Sequence, residues 1–186
     1  MTTIVATRTP KGKIKFAWDS QTTRSGSRAV AGAEKVFANG EVIFGVSGMV
    51  RTSNILQYMK IPARTKEDKK DTRKWVVTKL VPAIIKELKA VDAGYMEDSQ
   101  VNTLSDIIVS VDGEIGYLGG ELSFVQDESD MYAVGSGSAY ALGALAAGVS
   151  PDDAIRVAGY FDVYTNADVS KASAKSLVKR NEAGKK

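Results

Sequence analysis

Asn39-Gly40 separates two apolar runs, Lys35-Val36-Phe37-Ala38 and the stretch from Glu41 to Val46. A two-residue Asn-Gly connection between such runs commits them to an antiparallel hairpin, because both turn residues tolerate positive φ. The same grammar recurs along the chain. Pro10-Lys11-Gly12 joins strand-like Thr3 to Thr9 to Lys13 to Trp18, after which Asp19-Ser20 follows. Asp112-Gly113 joins Ser105 to Ser110 to Glu114 to Leu118, and further strands are expected over Glu121 to Val125 and Met131 to Val134. A fold built around antiparallel sheets is therefore required. Between the Pro10-Lys11-Gly12 hairpin and the Asn39-Gly40 hairpin lies a Ser/Thr/Gly/Arg-rich stretch at Ser20 to Arg28, read as irregular, and a helical region follows the Asn39-Gly40 hairpin.

The helical region begins after Gly48. Val50 to Met59 reads as a short helix, and Val77, Leu80, Val81, Ile84, Ile85 and Leu88 recur at helical spacing. Pro82 inside that run predicts a kink or a later helix start, since proline lacks the amide hydrogen and clashes with the preceding turn. Near the other end, Gly135-Ser136-Gly137-Ser138 leads into an alanine-rich helix over Ala139 to Ala147. Ser150-Pro151-Asp152-Asp153 supplies an N-cap, a proline in the first turn and acidic residues at the positive helix end, so another helix runs to about Tyr164. Strands, two helices, strands and two helices make an α+β chain. Two helices per sheet face give a four-layer αββα sandwich of two antiparallel sheets.

Composition narrows the chemistry more than the fold. With 186 residues the chain is expected to form a single domain, 1–186, that buries its core without disulfides. It contains no cysteine and no histidine. Ser-His-Asp and Cys-His catalysis are excluded, as is any His or Cys metal ligand. The net charge of +3, from 25 basic and 22 acidic side chains, gives no strong nucleic-acid signal. The mixed run Lys66 to Lys74 reads as a solvated helix start, and the basic end, 179–186, as a frayed, disordered tail. No charged-then-apolar leader and no apolar run of about 18–20 residues is present, so a cytoplasmic location is expected.

One feature supplies a nucleophile without histidine. Met1-Thr2-Thr3 opens directly into Ile4-Val5-Ala6, so removal of Met1 leaves a free threonine amine at the start of a strand. Such a residue carries a hydroxyl nucleophile and its own base, an α-amino group with an unperturbed pKa of about 7.7–8.0.

Thr2-Thr3-Ile4-Val5-Ala6, Asp19-Ser20, Lys35-Val36, Gly45-Val46-Ser47-Gly48, Gly135-Ser136-Gly137-Ser138 and Asp162-Val163-Tyr164-Thr165-Asn166, in this order, resemble the proteasome β-subunit and HslV. These are N-terminal-nucleophile (Ntn) hydrolases with an αββα fold. Taken singly, each motif is also an ordinary turn, loop or solvated charge; the ordered set and its spacing carry the resemblance. The segment from about Lys60 to Asn102 contributes nothing to it. The resemblance implies a threonine-type endopeptidase with Thr2 as nucleophile and base, Lys35 beside its hydroxyl and amine, and Asp19 paired with Lys35. It implies that the Gly48 amide binds the oxyanion, that Ser136 and Asp162 orient the amine, and that Thr165 supports them. Asp162 agrees with the proteasome pattern better than with HslV.

By the same correspondence Thr22, Ala33, Val46 and Val50 line the pocket for the side chain before the cleaved bond, and Thr23 binds peptide backbone. Small apolar walls then suit small or medium apolar side chains, although Val46 and Val50 are equally read as core. Three departures stand out. Gly48-Met49 replaces the usual Gly-Gly, the Pro10-Lys11-Gly12 turn is one residue longer than in HslV, and Met1 is the only residue before the nucleophile. The family further implies a homo-oligomeric ring and a separate ATP-dependent unfoldase, with no cofactor and no metal assigned; this sequence has no P-loop of its own. Two other readings stay open, a catalytically inactive structural protein of proteasome type and a small-molecule Ntn amidase.

Overall fold

The computed structural model describes the chain except residues 1, 25–26, 31–33, 92, 94, 98–99 and 185–186. Strands β1 (Thr3–Arg8) and β2 (Ile14–Asp19) form the hairpin expected across Pro10-Lys11-Gly12, in a register that sets Ile4 against Trp18. Asp19 is the last residue of β2 rather than part of the turn beyond it. The stretch read as irregular contains a further hairpin, β3 (Gln21–Arg24) with β4 (Ser27–Val30). Gln21-Thr22-Thr23-Arg24 has no apolar alternation, so the pattern that announces a half-buried strand is missing.

Strands β5 (Val36–Asn39) and β6 (Val42–Ser47) turn at Gly40-Glu41, one residue later than expected. Asn39 stays in the strand because its buried amide is used elsewhere: Nδ2 donates to the carbonyls of Leu56 (3.0 Å) and Met59 (2.7 Å). Those carbonyls belong to the end of α1 (Val50–Tyr58) and its cap, so one side chain ties the hairpin to the first helix. Next come α2 (Lys66–Lys70), opened by a Thr65/Asp68 capping box, and α3 (Thr72–Trp75). A π-helical turn, Val76–Leu80, connects α3 to α4 (Val81–Ala90). It absorbs Pro82, since widening the turn relieves the clash and removes the need for the missing amide bond.

A small hairpin, β7 (Tyr95–Glu97) and β8 (Gln100–Asn102), precedes β9 (Asp106–Val111), β10 (Glu114–Leu118), β11 (Phe124–Val125) and β12 (Met131–Gly135). Helices α5 (Ser138–Ala146) and α6 (Pro151–Phe161) follow, the latter capped by Ser150 and ending before Tyr164. Two unexpected elements close the chain, β13 (Val169–Ser173) and α7 (Ala174–Ala183). The basic end is thus helical through Ala183 rather than frayed. Leu177 is buried in the core, and Asn181 Nδ2 donates to the Ala38 carbonyl at 2.6 Å. Residues 185–186 lie outside the described part.

One sheet runs β12-β1-β2-β13 and the other β11-β10-β9-β6-β5. Alternation along the strands assigns the layers. Ile4, Ala6 and Phe16 of the first sheet meet Ile43, Ile108 and Ile115 of the second, whereas Val5 and Ala17 turn outward onto Ala141, Ala154, Ile155 and Ala158 of α5 and α6. On the far side, Val42, Phe44 and Val109 pack against Leu56, Trp75, Leu80 and Ile84. Helix, sheet, sheet and helix are therefore stacked in four layers, as the sequence order required. No helix among the described residues is long and apolar enough to cross a membrane.

Tyr117 gives the sandwich a measurable alkaline limit. Its hydroxyl donates to Asp106 Oδ1 at 2.7 Å, and burial together with that carboxylate pushes its pKa up to about 12. In the unfolded chain the phenol loses its proton near about 10. Between these values the unfolded state binds fewer protons, so stability falls as pH rises through the window. Melting temperatures should decline over about pH 10–12, and Tyr117→Phe should flatten that decline.

Candidate active site

Antiparallel pairing of β1 with β2 carries the start of one strand to the end of the other, so residues 2 and 3 arrive beside Asp19. Asp19 is fully buried and accepts four hydrogen bonds from the described residues. Its Oδ1 takes the Thr2 hydroxyl at 2.5 Å, the Thr3 amide at 2.8 Å and Lys35 Nζ at 2.9 Å; its Oδ2 takes the Gln21 amide at 3.0 Å. Lys35, 9% exposed, also donates to the Gln21 carbonyl at 2.6 Å. Burial pulls the Lys35 pKa below its ordinary value, while the charge of Asp19 and its hydrogen bond oppose that pull. The hydroxyl of Thr2 and the ammonium of Lys35 thus converge on one carboxylate oxygen, and the hydroxyl's own donor bond goes to Asp19.

A second cluster borders the Thr2 backbone. The Ser136 amide donates to the Thr2 carbonyl at 3.2 Å, and the Ser136 hydroxyl donates to Asp162 Oδ2 at 2.6 Å. Thr165, 1% exposed, donates to the same oxygen at 2.6 Å. Gly135 permits this approach: φ is +96°, and a Cβ there would lie 1.8 Å from the Thr2 carbonyl oxygen. The glycine-serine motif is therefore a close-packed seat for the start of the chain.

A cavity of about 70 Å³ brings Thr2 and Lys35 together with Gly48, Thr22, Thr23, Val46 and Val50. Ala33, expected in the same wall, lies outside the described residues. Gln21, Glu34 and Ser53 also line the cavity, so its wall is more polar than the apolar residues alone implied. Val46 is buried and shared with the core beneath α1, whereas Val50 is exposed. A larger cavity of about 360 Å³ reaches Asp19 and Lys35 but not Thr2. The smaller one is the candidate site because Thr2 lines it.

Gly48 is constrained on both sides. Its φ is +121°, and an added Cβ would stand 2.3 Å from the Leu104 carbonyl oxygen and 2.7 Å from Ser105 Cα. Neither contact is the end of a flexible side chain, so Gly48→Ala must move backbone and with it the Gly48 amide. The expected result is a loss of roughly a hundredfold in any activity that uses this amide, with a melting temperature lowered by several degrees. Kinetics and thermal melts on the same preparation check both.

All the candidate catalytic residues, Thr2, Asp19, Lys35, Ser136 and Asp162, fall within these two hydrogen-bonded clusters, together with Thr165. Sequence reading missed Thr3, Gln21, Ser47, Glu34 and Ser53. Gln21 enters mainly through its backbone, and Ser47 Oγ lies at 3.5 Å from the Thr2 carbonyl oxygen. Neither contact has a signal in residue type. The second hydroxyl of Thr2-Thr3 was visible but had no assigned partner.

No family model and no curated protein matches the chain. Solved structures do. Thiobacillus denitrificans BPH in complex with epoxomicin superimposes with a TM-score of 0.72 at 22% identity, over 92% of this chain and 97% of that one. A further structure of Thiobacillus denitrificans BPH gives 0.69 at 23% identity, over 92% and 96%. Eukaryotic HslV from Trypanosoma brucei gives 0.63 at 19% identity, over 92% and 98%. At these identities the likeness establishes the architecture: the chain adopts the αββα fold of HslV-like, proteasome-type peptidases.

Proposed function

We propose that the chain is a threonine-type endopeptidase acting through Thr2, with residues 1–186 forming one Ntn-hydrolase domain. The observation that carries this reading is the convergence of the Thr2 hydroxyl and Lys35 Nζ on buried Asp19 Oδ1, at 2.5 and 2.9 Å, in a chain without histidine or cysteine. Removal of Met1 frees the Thr2 amine. That amine takes the hydroxyl proton, Oγ1 attacks the peptide carbonyl carbon, and the tetrahedral intermediate forms with its oxyanion toward the Gly48 amide. The C–N bond then breaks, and the amine passes its proton to the departing peptide amine. Water, deprotonated by the same amine, attacks the ester and restores Thr2.

Lys35 opposes protonation of the amine and favours the alkoxide, while Asp19 works against the loss of the lysine's charge on burial. Ser136 and Asp162, with Thr165 behind them, orient the amine. Thr22, Ala33, Val46 and Val50 form the pocket for the preceding side chain, and Thr23 holds substrate backbone in extended form. A cavity of about 70 Å³ suits a small side chain, and the lining by Ser53 and Glu34 extends the expected preference from apolar to small polar groups.

The enzyme works in the cytoplasm as a homo-oligomeric ring, fed with unfolded protein by a separate ATP-dependent unfoldase. Exposed Tyr140, Tyr160 and Phe161 on α5 and α6, whose rings meet, support association, since apolar surface gathered in one place marks contact surfaces. Covalent capture by a peptide electrophile tests the reading, and epoxomicin, present in the BPH complex, is the first probe. Adduct formation on wild type and none on Thr2→Ala is expected. Equal labelling of both, or none of wild type lacking Met1, contradicts it.

A further inference from the structure

We propose that Thr3 is a positioning residue that holds Asp162 and Ser136 in register with the nucleophile, a role that rests on the peptidase reading above. Thr3 is fully buried and, like its neighbour Thr2, bonds to both clusters, but unlike Thr2 it reaches the Asp162 side through its side chain. Its backbone amide donates to Asp19 at 2.8 Å. Its side chain lies 2.6 Å from Thr165 Oγ1, 162 positions along the chain.

The direction of every bond in this chain is fixed by the groups at its ends. The Gly137 amide donates to Thr3 Oγ1 at 3.1 Å, and Thr165 spends its hydroxyl hydrogen on Asp162 Oδ2 at 2.6 Å. Thr3 must therefore donate its hydroxyl hydrogen to Thr165. The path runs from the Gly137 amide through Thr3 and Thr165 to Asp162 Oδ2, where the Ser136 hydroxyl also arrives at 2.6 Å. No other orientation satisfies both hydroxyls, so the chain has one state rather than two.

The covalent consequence is direct. Residue 3 adjoins the nucleophile, so any shift of the turn carrying Asp162 and Thr165 is transmitted to the backbone that holds Thr2. Gly137 has been kept small for this contact: a Cβ there would stand 2.4 Å from Thr3 Oγ1 and 3.1 Å from Thr165 Oγ1. Thr3 touches no reacting atom. It acts by fixing the carboxylate and hydroxyl that orient the amine.

Thr3→Val keeps the side-chain shape and removes the hydroxyl, leaving the Gly137 amide without its acceptor and Thr165 without its donor. Thr3→Ser keeps the hydroxyl and removes only a methyl group. Capture by epoxomicin should be measured against pH for full-length wild type and both variants. The ascending limb reports the amine, whose unperturbed pKa is about 7.7–8.0. Thr3→Val is expected to slow capture roughly tenfold and to displace that limb by roughly half a pH unit or more, and Thr3→Ser to restore its position. A packing role alone would lower stability and leave the limb in place, so an unmoved limb in Thr3→Val overturns the proposal.

Amide NMR resonances of residues 162–165 give a readout that needs no turnover. They should move in Thr3→Val and return in Thr3→Ser; unmoved resonances overturn the proposal whatever the kinetics. If they move while wild type is never captured, the positioning contact stands and the peptidase reading has failed.

Discussion

Thr2→Ala is expected to fold normally and to lose capture by a peptide electrophile altogether. The side chain removed is small, 4% exposed, and among the described residues makes one hydrogen bond, to Asp19 Oδ1. The buried charge it leaves behind is not stranded. Asp19 keeps the Thr3 amide, the Gln21 amide and Lys35 Nζ, so the melting temperature should change by only a few degrees. In the proposed mechanism Thr2→Ala removes the reacting atom itself, and a drop of at least roughly 10⁴-fold is expected because neighbouring groups cannot substitute for it. Thr2→Ser should retain part of the activity, since it keeps both hydroxyl and amine. A variant without the Thr2 hydroxyl that still formed a specific adduct would place the nucleophile elsewhere.

Lys35→Met is the second large effect, and it acts on stability as well as chemistry. Asp19 is fully buried, and removing its cationic partner leaves a charge without compensation. Breaking a buried pair from one side costs about 3–5 kcal/mol, which for a chain of this size lowers the melting temperature by about 6–20 °C. Asp19→Asn combined with Lys35→Met removes both charges and keeps an acceptor oxygen near Thr2 and Thr3. The double variant should recover most of the lost stability while remaining inactive, because the charge that favours a deprotonated amine is still missing. Melting temperatures and capture rates of the wild type, two single variants and the double variant measure the two consequences separately. Unchanged melting of Lys35→Met would show that the pair carries no structural weight.

The elements legible in the sequence were those whose local chemistry matches their tertiary role. The Pro10-Lys11-Gly12 and Asp112-Gly113 turns join apolar strands that are largely buried, and Ser150-Pro151 opens α6 by a local capping bond from the Asp153 amide. The strands β3 and β13 were not legible, because Gln21-Thr22-Thr23-Arg24 and Val169-Ser170-Lys171-Ala172-Ser173 lack an alternating apolar face. Helix α7 looked like a solvated tail, since only Leu177 of its residues is buried and basic residues surround it. The shift of the β5–β6 turn by one residue came from Asn39, whose amide caps α1, a contact between segments that local turn preference does not contain.

The site divides in the same way. Thr2, Asp19 and Lys35 were identifiable by type and order, and the structure gathers them on one carboxylate oxygen. Thr3 was hidden because its meaning depends on Thr165 at the far end of the chain. Polar lining by Ser53 and Glu34 was hidden for a similar reason: α1 and the residues before β5 meet at the cavity only after the sheets have stacked.

In the proposed mechanism the base is the freed amine of Thr2. Intact mass of the purified wild-type protein, before and after reaction with epoxomicin, tests it most directly. The account predicts a mass lower than that of the full sequence by one methionine residue, then a single adduct located by peptide mapping on Thr2. A protein that retains Met1 and nevertheless forms the adduct, or one that has lost Met1 and stays unmodified, would contradict it.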